Sequence, residues 1–135
     1  MKRTYIFCIA VCLLISFSFS AYASDEDGVS VCSDLYINYA KAQFNSDGVV
    51  EFYVSIHGFA DSIYVSGCRL QEKEGTTWVN KGNLAVPSDV LHDVCVYSAS
   101  ANYSDKLTTG NTYRVIVTYN IDGYLKSYTS NTISY

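Results

Sequence analysis

Apolar side chains recur at every second position through most of the chain, as in Val50, Phe52, Val54 and Ile56 and again in Tyr113, Val115, Val117 and Tyr119. Successive side chains of a strand leave on opposite faces, so this rhythm predicts half-buried β-strands with those residues on the core side. Strands are predicted over residues 35–44, 49–57, 62–72, a short piece holding Trp78, 91–100, 113–120 and 125–135. Clusters of turn residues separate them: Asn45-Ser46-Asp47-Gly48, a break over 58–61, Lys73-Glu74-Gly75-Thr76, and Asp122-Gly123. The last of these suits a two-residue hairpin, because glycine accepts the positive φ that such turns require. Residues 80–87, ending at the single proline Pro87, read as loop. In the third strand Ile63 and Val65 are out of phase with Cys68 and Leu70, and Gly67 between them predicts a bulge that resets the facing. No helical spacing of apolar residues competes with this pattern. About seven antiparallel strands in one unit is the count of a β-sandwich.

The first residues break from the rhythm. Lys2 and Arg3 precede an almost unbroken apolar run from Tyr5 to Phe19, and Ala21-Tyr22-Ala23 is an A-x-A cleavage site. This is the pattern of an export signal over residues 1–23, cut after Ala23. A membrane-spanning helix needs about 20 apolar residues, and the serines at 16, 18 and 20 interrupt this run. Cys12 follows Val11, where lipidation would want a small residue. Residues 24–33, with Asp25-Glu26-Asp27-Gly28, form an acidic arm too polar to pack, and the β-domain occupies 34–135. The chain is therefore expected to be secreted, with no membrane contact once the signal is cut.

Removing 23 of the 135 residues leaves 112, the size of a single sandwich domain. Lys2 and Arg3 leave with the signal, so seven basic side chains face 13 acidic ones, a net charge near −6. The seven are scattered along the sequence, which argues against nucleic acid and anionic membranes as partners. Of five cysteines, Cys8 and Cys12 lie in the signal and Cys32, Cys68 and Cys95 remain. In an oxidising compartment one disulfide and one free thiol would result, with three pairings open, or all three could be buried and unpaired.

The segment Leu107-Thr108-Thr109-Gly110-Asn111-Thr112-Tyr113 resembles the tyrosine corner of fibronectin type III domains, with Thr109 where that family usually carries proline. The resemblance implies an immunoglobulin-like or fibronectin type III-like β-sandwich. Tyr113 would bond back to upstream backbone and Leu107 would pack beneath the turn. Together with Ala60-Asp61-Ser62-Ile63, Leu70-Gln71-Glu72-Lys73, Trp78 and Tyr113-Arg114-Val115, the chain is similar to a group of small secreted bacterial proteins of uncharacterised function. These motifs belong to the scaffold and imply no activity. Trp78, Phe52, Val54, Val115 and Val117 are expected to be structural.

Catalytic chemistry finds little support. The only histidines are His57 and His92, no G-x-S-x-G elbow is present, and nothing sets a base beside a nucleophile. No clustered Cys and His suit zinc, and Asp25-Glu26-Asp27-Gly28 lacks the spacing of a calcium loop, so no metal or cofactor is expected. Asn102-Tyr103-Ser104 matches a glycosylation sequon. The compositional oddity is tyrosine, 11 of them after the signal leaves. Tyr53, Tyr64, Tyr124 and Tyr128 alternate away from the expected core or lie beside turns, where stiff amphipathic rings can contact a protein or glycan. The sequence thus points to a monomeric, secreted, non-enzymatic binding domain. A secreted hydrolase or hydrolase inhibitor using His57 or His92, and a structural subunit of a surface assembly, are the alternatives.

Overall fold

A computed structural model of the chain describes residues 37–135; the expected signal, the acidic arm and Cys32 lie outside the described residues. The described residues form an all-β unit with eight strands: β1 (Ile37–Phe44), β2 (Val49–Ala60), β3 (Ile63–Glu74), β4 (Thr77–Leu84), β5 (Val94–Asn102), β6 (Thr112–Ile121), β7 (Tyr124–Thr129) and β8 (Ile133–Ser134). A 3-10 turn, Ser104–Lys106, leads from β5 toward β6. Every pairing is antiparallel. β1-β2-β5 make a three-stranded sheet, and β4-β3-β6-β7 with β8 beside β6 make a five-stranded one.

The two-residue rhythm builds the core. Val50, Phe52, Val54 and Ile56 of β2 are buried, as are Tyr113, Val115, Val117, Tyr119 and Ile121 of β6. They meet in one cluster that also takes in Phe44, Tyr97 and Tyr103. Burying each such side chain is worth roughly 1.5–3 kcal/mol. In β3 the register slips between Val65 and Gly67, so that Ser66 is extra; Ile63 and Val65 before the slip and Cys68 and Leu70 after it all end up inside.

Three of the departures from the expected boundaries change the packing. β2 runs on to Ala60 through Gly58, because a bulge between Ser55 and Ala60 lets Ala60 return to the core. Residues 80–84 are strand, not loop: Lys81 bulges out between Asn80 and Gly82, and Leu84 is thereby brought inside opposite Cys68. The last strand is split into β7 and β8 by Ser130-Asn131-Thr132, which makes eight strands instead of seven. That break has a purpose in packing. Ser130 Oγ accepts the Val115 N–H at 2.9 Å, and the Asn131 amide both accepts from Phe44 N–H at 2.8 Å and donates to Phe44 C=O at 2.7 Å. One side chain so satisfies the end of β1 from the opposite sheet.

Tight turns fall where the glycines predict. Asp122 and Gly123 adopt φ of 52° and 87° in the β6–β7 hairpin. Gly48 (φ 81°) ends the first turn, with Asn45 Oδ1 accepting from the N–H groups of Asp47 and Val49 at 3.0 Å each.

Candidate functional site

The outer face of the three-stranded sheet is formed by the residues that alternate with its core positions: Tyr39 and Lys41 on β1, Glu51 and Tyr53 on β2, Ser98 and Ser100 on β5. Register sets them in rows, since Lys41 pairs with Tyr53 and Tyr53 with Ser98, while Glu51 pairs with Ser100. Lys41, Glu51, Tyr53, Ser98 and Ser100 line a shallow concavity of about 490 Å³. Tyr39, more than half exposed, has its ring 5.9 Å from that of the lining residue Tyr53, with the two planes at 56° to one another. Both charges, two hydroxyls and two aromatic rings therefore face solvent together.

The four tyrosines singled out from the sequence do not gather. Tyr53 lies on this face; Tyr64 is half-buried on the outer face of the other sheet, and Tyr124 is exposed at the β6–β7 hairpin. Tyr128 is paired with Val117 and so leans inward, its ring 6.0 Å from that of buried Tyr119. β7 is a six-residue strand at the edge of its sheet, so an inward position on it stays partly exposed, which alternation alone reports as a surface. Tyr39 was the ring to add, and its signal was the Tyr39-x-Lys41-x-Gln43 alternation of β1.

On the outer face of the five-stranded sheet a second constellation forms around Trp78. This residue is half-buried there and not among the core side chains. The Arg114 guanidinium carbon lies 4.2 Å from the Trp78 ring centroid. Arg114 Nε donates to Gln71 Oε1 at 2.8 Å, and Gln71 Nε2 donates to Asn80 Oδ1 at 2.8 Å. Gln71 is buried by these flanking groups although it points outward. Between Gly67, Arg69, Asn83, Thr118 and Ser127 the same face has a dimple of about 140 Å³, where Gly67 contributes no side chain.

Phe52, Val54, Val115 and Val117 are fully or almost fully buried. Tyr113 Oη accepts the Thr108 N–H at 3.0 Å, and Leu107 packs half-buried against the core. Two more tyrosines tie backbone segments together: Tyr103 Oη donates to Ala85 C=O at 2.5 Å, and Tyr119 Oη donates to Lys41 C=O at 2.6 Å while accepting Tyr53 N–H at 2.9 Å. Tyr97 Oη, also buried, has no hydrogen-bond partner among the described residues. Burial raises the pKa of all three of Tyr97, Tyr103 and Tyr119.

Cys68 and Cys95 are both free thiols, so that pairing of the candidates is not made. They differ in burial: Cys68 lies in the core, where burial pushes its pKa to about 12, and Cys95 is exposed on β5. His92 Nδ1 lies 2.8 Å from Asp61 C=O; a carbonyl only accepts, so this nitrogen is the donor. His57 is exposed on β2. Among the described residues no group of three Cys, His, Asp or Glu side chains is placed to hold a metal ion. Asn102, head of the sequon, is exposed and its Oδ1 accepts the Ser104 N–H at 2.8 Å.

Comparison with known protein families, with curated proteins and with solved structures gives no match for this chain.

Proposed function

We propose that this chain is an exported, non-enzymatic binding domain that holds a glycan or a polypeptide on the outer face of its three-stranded sheet. The observation that carries the reading is the concavity bounded by Lys41, Glu51, Tyr53, Ser98 and Ser100, with the Tyr39 ring packed against Tyr53. Its volume of about 490 Å³ is in the range of small-ligand sites, about 300–1,000 Å³. Paired rings offer stiff apolar contact at low entropic cost, and the hydroxyls and opposite charges around them offer hydrogen bonds to hydroxyl or amide groups. The export signal read from residues 1–23 would deliver the domain to where such ligands are met.

The finer fold reading fits the same picture. In an immunoglobulin-like sandwich the first, second and fifth strands share one sheet, and the third, sixth and seventh share the other. The orders β1-β2-β5 and β4-β3-β6-β7 support that assignment, as does the Tyr113–Thr108 bond for a fibronectin type III-like corner. In such sandwiches the outer sheet faces are free to vary without cost to the core.

Panels of neutral and charged glycans, cell-wall fragments and host-surface proteins, screened with the full-length chain and with Tyr53→Ala, test the proposal. Binding weakened at least about tenfold by Tyr53→Ala is expected, since a single well-placed aromatic contact is worth 1.4 kcal/mol or more. No ligand in any panel defeats the functional reading, whereas binding indifferent to Tyr53 defeats the site.

A further inference from the structure

We infer that the outer face of the five-stranded sheet is a second, separate binding site, and that it takes an acidic polysaccharide bearing carboxylates. The formal charge of the chain is −4, yet this face is cationic. Outward positions on β3 are Arg69, Gln71 and Lys73, and Gln71 pairs with Arg114 of β6. Three cations thus fall within neighbouring rows of one sheet. Four of the 13 acidic residues, Asp25, Glu26, Asp27 and Asp34, precede the described part, and none of the other nine occupies an outward strand position on this sheet. Glu72 and Glu74 alternate to the other side of the β3–β4 hairpin, where Lys81 Nζ holds them at 3.4 and 2.7 Å. Arg69, Lys73 and Arg114 have no ion-pair partner among the described residues.

Arg114 is the anchor. Its Nε is committed to Gln71 and its flat face to Trp78, so the guanidinium is fixed in place before any ligand arrives. No hydrogen bond among the described residues uses its two terminal amino groups, and these form the planar fork that a carboxylate accepts in bidentate fashion. The Trp78 ring shields one side of the cation and lowers the local dielectric, which strengthens that contact. Lys73, paired with Trp78, and Arg69, paired with Asn83, stand one row away on either side along β3. Neighbouring strands are about 4.8 Å apart and alternate residues about 6.7 Å apart along a strand, so the three charges track a short repeating polyanion.

The neutral groups favour saccharide over peptide or nucleic acid. Asn80, Asn83, Thr118 and Ser127 add amides and hydroxyls to this face, the last three around the dimple beside Gly67, which is of a size for a sugar hydroxyl group and too small for a large peptide side chain. Three cations would neutralise only about three phosphates, too few for firm hold on a nucleic acid at physiological salt. This inference does not depend on the tyrosine face.

The test uses the full-length chain, expressed with its own N-terminus, in titrations against polygalacturonate, dextran, dextran sulfate and a single-stranded oligothymidylate at low and physiological salt. Two variants of equal charge change are compared, Arg69→Gln/Lys73→Gln on the face and Lys106→Gln/Lys126→Gln away from it, with Arg114→Lys as a third. Expected are binding to polygalacturonate but not dextran, loss of at least about tenfold in the face pair, less than about twofold in the remote pair, and weakening in Arg114→Lys, which keeps charge but loses the fork. Circular dichroism and unfolding midpoints like the parent's show that the pairs still fold. Equal losses in both pairs, no polygalacturonate binding at low salt, or tighter binding of dextran sulfate or oligothymidylate than of polygalacturonate each overturn the inference.

Discussion

Three buried tyrosines allow one chemical change to be made in three hydrogen-bonding contexts, and the structure assigns different outcomes to each. In Tyr119→Phe the ring, wholly buried between Tyr97 and Tyr128, keeps its contacts. What goes is an oxygen that sits between paired residues of β1 and β2, donating to Lys41 C=O and accepting Tyr53 N–H. Two hydrogen bonds of about 1 kcal/mol each are lost, and any donor left dry adds to the cost, so destabilisation of roughly 2–3 kcal/mol follows. Tyr113→Phe removes one main bond, to Thr108 N–H, and should cost about 1 kcal/mol. Tyr97→Phe removes a buried hydroxyl that has no partner among the described residues, and is therefore neutral or stabilising by up to about 1 kcal/mol. Urea unfolding measures all three against the parent, and unchanged slopes show that the denatured states are comparable. If Tyr97→Phe lost as much stability as Tyr119→Phe, the energies would be following hydroxyl removal itself, and the assignment of cost to partners would be refuted.

The buried phenols and thiol also predict an alkaline limit. Cys68, Tyr97, Tyr103 and Tyr119 are neutral when protonated, and burial raises each above its ordinary value, Cys68 from 9.0 to about 12. The folded chain keeps protons that the unfolded chain releases, so their contribution is complete below about pH 9 and falls as pH rises through the folded values; unfolding midpoints against pH, with tyrosinate absorbance followed alongside, check this. Native alkylation with iodoacetamide should label exposed Cys95 and spare Cys68 until denaturant is added, as read by peptide mass mapping; the reverse order would contradict the burial of Cys68 and the exposure of Cys95. Gly48→Ala would place a Cβ 2.8 Å from Ser104 Cα at a φ of 81°, and should cost well over 2 kcal/mol. Gly123→Ala, at similar φ but in open space, should cost about 1–2 kcal/mol by the same unfolding measurement.

How much of this was legible follows from what alternation can see. The core faces of β2 and β6, the bulge at Gly67 and the Asp122-Gly123 hairpin were readable because each is a local pattern of side-chain facing or of φ. The strand through 80–84 was not, because Asn80, Gly82 and Asn83 carry turn chemistry while the pairing that makes them strand comes from β3. The split of the last strand was hidden for a similar reason: Ser130 and Asn131 are ordinary in sequence, and their partners Val115 and Phe44 lie 15 and 87 residues away. Trp78 reads as core from its size alone. Its placement on the outer face depends on the Lys81 bulge and on Arg114, neither of which a strand pattern announces.

The same distinction explains why cations scattered along the chain become neighbours. Arg69, Lys73 and Arg114 are separated by up to 45 positions in sequence, and only the β3–β6 register, which sets Gln71 against Arg114, brings them together. That register is held by what lies beneath it, since a slip of one residue would send Cys68 and Leu70 out to solvent and carry Arg69 and Gln71 into the core. Ser66, the extra residue before Gly67, is what puts β3 in the phase that buries Ile63, Val65, Cys68 and Leu70 together. The apolar residues that were easiest to read thus fix the polar face that was hardest to read. A surface of this kind is specified by the core behind it, and its chemistry can change with little cost in stability so long as the inward side chains keep their phase.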